Sequence, residues 1–202
     1  MPRVSRKQAD LNREIIVEAA TRLFRERGLH GISVVDVMAA AGLTHGGFYG
    51  HFESKEALAR EASERAFNQV GTRWRERAAS GEDKASSRRA LIEPYLSAHS
   101  RDNPGDSCPV VAFAGDMCHE SAESGLREPF LDGLNKLLDS FSQLMESSDP
   151  DENRQQALVQ YSMMVGALTL ARATRGEALS DEILETVCRY LTAAKPDAPS
   201  PV

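Results

Sequence analysis

Residues 33 to 57 read SVVDVMAAAGLTHGGFYGHFESKEA, two short helical patterns around one glycine and the start of a third. Ser33 can cap the first, and Asp36 three residues on completes a capping box. Val34, Val37, Met38 and Ala41 fall at i, i+3, i+4 and i+7, a single apolar face. Gly42 supplies the left-handed position at which such a helix stops. Thr44 can cap the second helix, on which Phe48 and Phe52 lie one turn apart. Ser54 then caps a third, with Lys55 in its first turn. The spacing fits a helix-turn-helix whose second helix enters the major groove; it equally fits any helical hairpin of an all-α protein.

As a reader of DNA, the stretch offers Thr44, His45, Gly46 and Gly47 where a base edge is approached. Tyr49, His51 and Lys55 offer hydrogen bonds or charge where phosphates run. With Ser33, these are the candidate DNA contacts. Thr44 and His45 have little hydrogen-bonding vocabulary, so shape readout and contact with a thymine methyl are expected to matter. Three glycines, 46, 47 and 50, lie in the reading helix, each at a cost of about 1 kcal/mol relative to Ala.

Working outward, Ile16, Ala19, Ala20, Leu23 and Phe24 form the stripe of a helix from about Gln8 to Arg27. Gly28 ends it, and Arg25 and Arg27 suit its C-terminal dipole. Residues 1–8 read as a flexible arm, with Arg3, Arg6 and Lys7 as phosphate or minor-groove contacts or merely solvated charges. From Ser54 a helix runs to about Ala79 with Leu58, Ala62, Phe67, Val70 and Trp74 as apolar members. Ser86–His99 reads as one helix holding Pro94. Cys108-Pro109 opens another after the turn-rich DNPGDS loop. Ser124–Glu146 and a helix from Asp149-Pro150 to about Thr174 follow, and Ser180 caps the last. KPDAPSPV, 195–202, reads as a disordered tail. The fold class is all-α, with nine helices: three in an N-terminal group (1–53) and six in a larger body (54–194).

Net charge is −6, from 24 Lys and Arg against 30 Asp and Glu. Residues 1–60 hold nine basic and seven acidic side chains, and the rest fifteen and twenty-three. DNA affinity follows local neutralisation of phosphates, so a mildly basic head on an acidic body is compatible with it. No apolar run approaches a membrane span, and the N-terminus lacks the apolar core of a signal peptide, so a cytoplasmic protein is expected. Cys108, Cys118 and Cys188 form no paired pattern, and the five histidines lack ligand spacing. No disulfide framework, metal site or cofactor is expected. Asp116, Cys118, His119 and Glu120 are chemically capable, but neighbours on a helix point in different directions and do not converge as a catalytic group. No enzymatic role is expected.

The residues themselves carry a resemblance. Ala19-Ala20, Leu23-Phe24, Arg27-Gly28, Val37-Met38-Ala39, Ala41-Gly42-Leu43, Phe48-Tyr49-Gly50-His51-Phe52 and Ser54-Lys55-Glu56-Ala57-Leu58 resemble the N-terminal domain of TetR-family transcriptional repressors. The resemblance covers about the first 60 residues. Gly50 stands where that family more often has a larger polar residue. It implies a homodimer through the last two helices (about 150–174 and 180–194), a palindromic DNA operator, and a small effector that releases DNA from the body. Phe67, Trp74, Tyr95, Cys108, Phe113, Phe141, Tyr161 and Met164 are the candidate pocket residues, with Met163 beside them; plain core packing is the competing reading for each. Ser107-Cys108-Pro109 is similar to a Gly-Cys-Pro-type signature of a TetR subgroup that includes sensors of electrophiles or oxidants. That implies a covalent trigger at Cys108, against simple packing of a small side chain. A helical interaction module without DNA binding is the alternative function.

Overall fold

The computed structural model describes residues 5–193; Arg3 of the expected arm and the tail from 195 lie outside them. Among these residues there are nine α-helices, two 3-10 turns and no strand. Helix α1 spans Arg6–Arg27, so Arg6 and Lys7 belong to a helix rather than to an arm. Ser5 fixes the early start, its hydroxyl accepting from the Gln8 amide at 3.2 Å. Gly28, at φ 77°, stops it. Helix α2, Val34–Ala40, carries the full capping box between Ser33 and Asp36, and Gly42 turns the chain at φ 69°.

The expected second helix of the hairpin is a 3-10 turn, His45–Gly50, held by i→i+3 bonds such as Gly47 N to Thr44 O at 3.0 Å. Three glycines in six residues explain the shift, since they lack the propensity to propagate an α-helix. Thr44 stands at its N-cap, but its hydroxyl makes no capping bond.

Helix α3, Lys55–Ala78, is capped by Ser54 and extends about 36 Å. The predicted Ser86–His99 helix is two. Helix α4, Lys84–Tyr95, starts at an Asp83–Ser86 capping box, and α5, Ala98–Asp102, starts at Ser97. Pro94 explains the break, because the Ser97 and Ser100 hydroxyls donate to its carbonyl at 2.8 and 2.7 Å and close the helix end. A 3-10 turn, Pro104–Asp106, leads into α6, Pro109–Met117, with Cys108 at its N-cap. Helix α7 is shorter than expected, Arg127–Ser142. Helix α8 spans Pro150–Ala173 from an Asp149 cap, and α9 spans Ala178–Thr192. Ser180 does not cap α9. It lies in the first turn, buried, donating to Ala171 O at 2.7 Å and accepting from Arg101 at 3.0 Å. The body therefore has seven α-helices, with α5 the unexpected one.

The apolar stripes converge on one continuous core. Ile16, Ala20, Leu23, Phe24, Val37, Met38, Phe48 and Leu58 fill the N-terminal group, called the head below. Trp74, Leu91, Phe113, Leu137, Phe141, Met164 and Leu168 fill the body. Helix α3 serves both parts. Arg13 of α1 grips it, pairing with Glu61 and lying 4.7 Å over the Phe52 ring.

Candidate nucleic-acid interface and effector cleft

The head presents an outer surface built on two buried rings. Phe48 is fully buried and stacks on Phe52 at 5.7 Å, and this seats the 3-10 turn in the head core beside α2. With Phe48 facing inward, Thr44, His45, Gly46, Gly47 and Gly50 are exposed. Tyr49, 69% exposed, stands edge-on to Phe48 at 5.2 Å. His51 and Lys55 flank it, half-buried. Ser33 is exposed, but its hydroxyl is already engaged with Asp36 on both sides. That bonding holds the Asp36 carboxyl below the usual carboxylate range. No Arg and no Asn lies on the turn.

In the body, a cleft of about 470 Å³ opens between α3, α4, α5 and the segment before α6. Of the candidate pocket residues it is bordered by Trp74, Tyr95 and Cys108. Phe67 borders a different cleft of about 440 Å³ between α3 and α7. Phe113, Phe141, Tyr161 and Met164 are buried in the core, and Met163 packs against it half-buried. Trp74, Tyr95, Phe141 and Tyr161 form one aromatic cluster, with Trp74 5.7 Å from Tyr161 and 5.8 Å from Phe141. Cys108 is buried, its Sγ 3.4 Å from the Tyr161 hydroxyl. Burial, reinforced by the neighbouring Cys108, pushes the Tyr95 and Tyr161 phenols well above the ordinary tyrosine range, so both stay neutral.

Two connections between head and body had no signature in the sequence. Arg25 of α1 is buried. It donates to Thr21 O at 3.1 Å, Gln69 Oε1 at 2.9 Å and Ser107 O at 3.5 Å, neutral acceptors all. Burial, and then the charge of Arg73, pull its guanidinium down to about 10. The head thus touches the residue preceding Cys108. The second connection is the run of chemically capable side chains from Asp116 to Glu120. Asp116 Oδ2 accepts from the Leu29 amide at 2.6 Å, and Glu120 pairs with His30 at 3.0 Å. Glu56 accepts from the Gly125 amide at 3.1 Å alongside. The run is a strap across the junction.

Asp116→Ala leaves the Leu29 amide without its charged acceptor, a loss of about 1.5–3 kcal/mol. For a chain of this size that lowers the thermal midpoint by several degrees. Asp116→Asn, which keeps an acceptor, is expected to lose less. Equal midpoints for Ala and wild type in a thermal melt would contradict the strap.

A family model of bacterial regulatory proteins, tetR family, matches residues 16–62, from the middle of α1 through the exposed turn into the first two turns of α3. The HTH-type transcriptional repressor NemR of Escherichia coli K12 is 26% identical over 171 residues, covering 81% of this chain and 85% of its own. The crystal structure of E. coli NemR in its reduced form superposes with a TM-score of 0.76 at 24% identity, over 93% of this chain and 99% of that one. Residues 16–62 carry the match to the tetR family of bacterial regulatory proteins. Among further relatives, the HTH-type transcriptional repressor DhaR of Mycobacterium sp. strain GP1 is 31% identical over 105 residues, 52% of each chain. KstR2 of Rhodococcus jostii RHA1 is 36% identical over 77 residues, 38% of each. The chain thus spans about half the length of DhaR, and less of KstR2. The tetR-family model ends within α3, so it covers the exposed 44–50 surface and not the cleft.

Proposed function

We propose that the protein is a ligand-responsive DNA-binding repressor that reads a palindromic operator as a homodimer and is released by an effector bound in the body or by modification of Cys108. The observation that carries this reading is the exposed 45–50 turn, seated on Phe48 and flanked by Tyr49, His51 and Lys55, within the segment matched to the tetR regulators. In this reading residues 1–53 bind DNA and 54–194 sense and dimerise. Thr44, His45, Gly46 and Gly47 approach the bases. Tyr49, His51 and Lys55 meet phosphates, and Ser33 fixes α2 against the backbone.

Dimerisation through α8 and α9 is supported by apolar side chains left in solvent there. Val159 is 62% exposed and Tyr190 71%, with Leu158, Leu170 and Leu179 nearby. Gly166 has open space where a side chain would stand, room for a second helix to approach. No helix among the described residues is long and apolar enough to cross a membrane, and action in the cytoplasm is part of the proposal. For Cys108, the relative NemR has been crystallised in a form described as reduced. A redox response here would act where the thiol, Tyr161 and the Ser107 carbonyl held by Arg25 meet.

The test is a gel-shift with DNA from beside the protein's own reading frame, combined with light scattering. A dimer is expected, with a retarded band that Tyr49→Ala weakens about equally on all sequences and Thr44→Ala shifts in preference. A monomer of 22.1 kDa that retards no DNA would leave the interaction-module alternative.

A further inference from the structure

The 470 Å³ cleft has a chemical character that is set by its walls. Its apolar lining is Val70, Trp74, Pro94 and Tyr95. One rim is basic. Arg73 and Arg77 stand one turn apart on α3 and both border the cleft, as does His99; Asp106 is the only carboxylate on its lining. Arg73 is half-buried, and one of its nitrogens donates to the Asp106 backbone carbonyl at 2.6 Å, a neutral partner. The Arg77 side chain makes no hydrogen bond and no ion pair with any described residue. Two guanidiniums one turn apart on the same rim repel each other, and the Arg73 guanidinium is depressed by burial first and by Arg77 second. Behind the rim, Arg172 holds Ser100 O at 2.8 Å, while its own Nε is buried without a partner.

A second observation points the same way. Tyr95 is 5% exposed and borders the cleft, yet its hydroxyl has no hydrogen-bond partner. Buried polar atoms left unpaired cost free energy that a ligand recovers by supplying the missing partner. An aromatic lining, an under-compensated pair of guanidiniums and an unpaired phenol together select one kind of molecule. We propose that the cleft binds a small carboxylate anion with a flat apolar body, its carboxylate on Arg77 and Arg73 and its apolar part against Trp74. Arginine forks match carboxylates two bonds at a time, and the partly enclosed site strengthens each bond. This names the effector class of the site proposed above and rests on that reading only for its consequence, not for the binding itself.

Trp74 is the chain's single tryptophan and borders the cleft, so its fluorescence is the optical probe of this site. The probe is 3-phenylpropionate, titrated beside its neutral isostere 3-phenylpropanamide, without DNA. The acid is expected to quench Trp74 saturably and to bind about tenfold tighter than the amide, the margin of a charge-assisted pair. Arg77→Gln is expected to erase that margin. Arg75→Gln, which faces the α3–α7 cleft instead, is expected to keep it. Acid and amide binding alike, no saturable quenching by either, or a margin untouched in Arg77→Gln would each overturn the proposal. Operator binding is measured separately. Anion binding by a protein that retards no DNA sinks the repressor reading and leaves this one standing, and the converse sinks only this one.

Discussion

Phe48→Ala is expected to abolish DNA retardation and to cost about 3–5 kcal/mol of stability, the range for emptying a fully buried phenylalanine site. The ring is completely buried. It stacks on Phe52 and supports Tyr49 edge-on. The turn it carries cannot hold itself together. Gly46, Gly47 and Gly50 raise the entropy lost on ordering it, and its bonds close only three-residue loops. Tertiary packing therefore supplies nearly all of its order, and Phe48 is the centre of that packing. Tyr49→Ala is the contrast. Its ring is mostly in solvent, so the unfolding midpoint in urea should hardly move while DNA binding falls. A Phe48→Ala protein with the wild-type midpoint and an intact gel-shift would refute the account.

What could be read from the chain divides along physical lines. Caps and stripes are local, and they were legible: Ser33 with Asp36, Gly28, Gly42, Ser54, Cys108-Pro109 and Asp149-Pro150 all stand at the ends they mark. Ser180 has the same composition as a cap, yet it was drawn inside the body by Ala171 and Arg101, partners no local window contains. The second element of the hairpin kept its position but not its helical type, because glycine propensity outweighed the pattern set by Phe48 and Phe52. Asp116 and Glu120 looked chemical for want of visible partners; Leu29 lies 87 residues from Asp116. The cleft was partly legible. Trp74, Tyr95 and Cys108 border it, but aromatic and sulfur side chains fill cores as readily as they line cavities, and Phe113, Phe141 and Met164 went to the core. Arg73 and Arg77 carried no signal, since cations on a long helix usually face water.

The placement of Arg25 joins these parts. One face of α1 supports the reading turn through the head core. Arg25 at its other end holds Ser107, at the edge of the cleft and one residue from Cys108. The Pro104–Asp106 turn lies against the same helix so closely that a side chain on Gly105 would meet Glu26 and Arg22 at 2.7 and 2.8 Å. Packed contacts of this kind do not deform gradually. A ligand that binds one position of the segment 104–108 better than another has a direct mechanical path to the head, and its effect is bounded by that difference in affinity.

Gly133→Val is expected to be the most damaging change in the body. A Cβ at this position would stand 2.2 Å from Cγ of Phe67 and 2.5 Å from both of its Cδ atoms. These atoms are the root of the ring and not its tip, so no small rotation relieves the clash. Either α7 lifts from α3, or Phe67 leaves its place against Phe130, 5.8 Å away edge-on, and swings toward the 440 Å³ cleft at its side. The first opens a packed helix interface, and the second exposes a ring that is now 5% exposed. Overpacking typically costs about 1–3 kcal/mol, and this site lies at or beyond the upper end, because the ring's burial is forfeited as well. At about 2–4 °C per kcal/mol, a cost of about 3 kcal/mol lowers the midpoint by about 6–12 °C. A double-mutant cycle separates this clash from general fragility of α7. Phe67→Ala alone is costly for the cavity it leaves, but it removes the atoms that valine strikes. The two changes together should therefore cost clearly less than the sum of the two alone. Strict additivity would mean that Gly133 matters for some reason other than the ring seated on it.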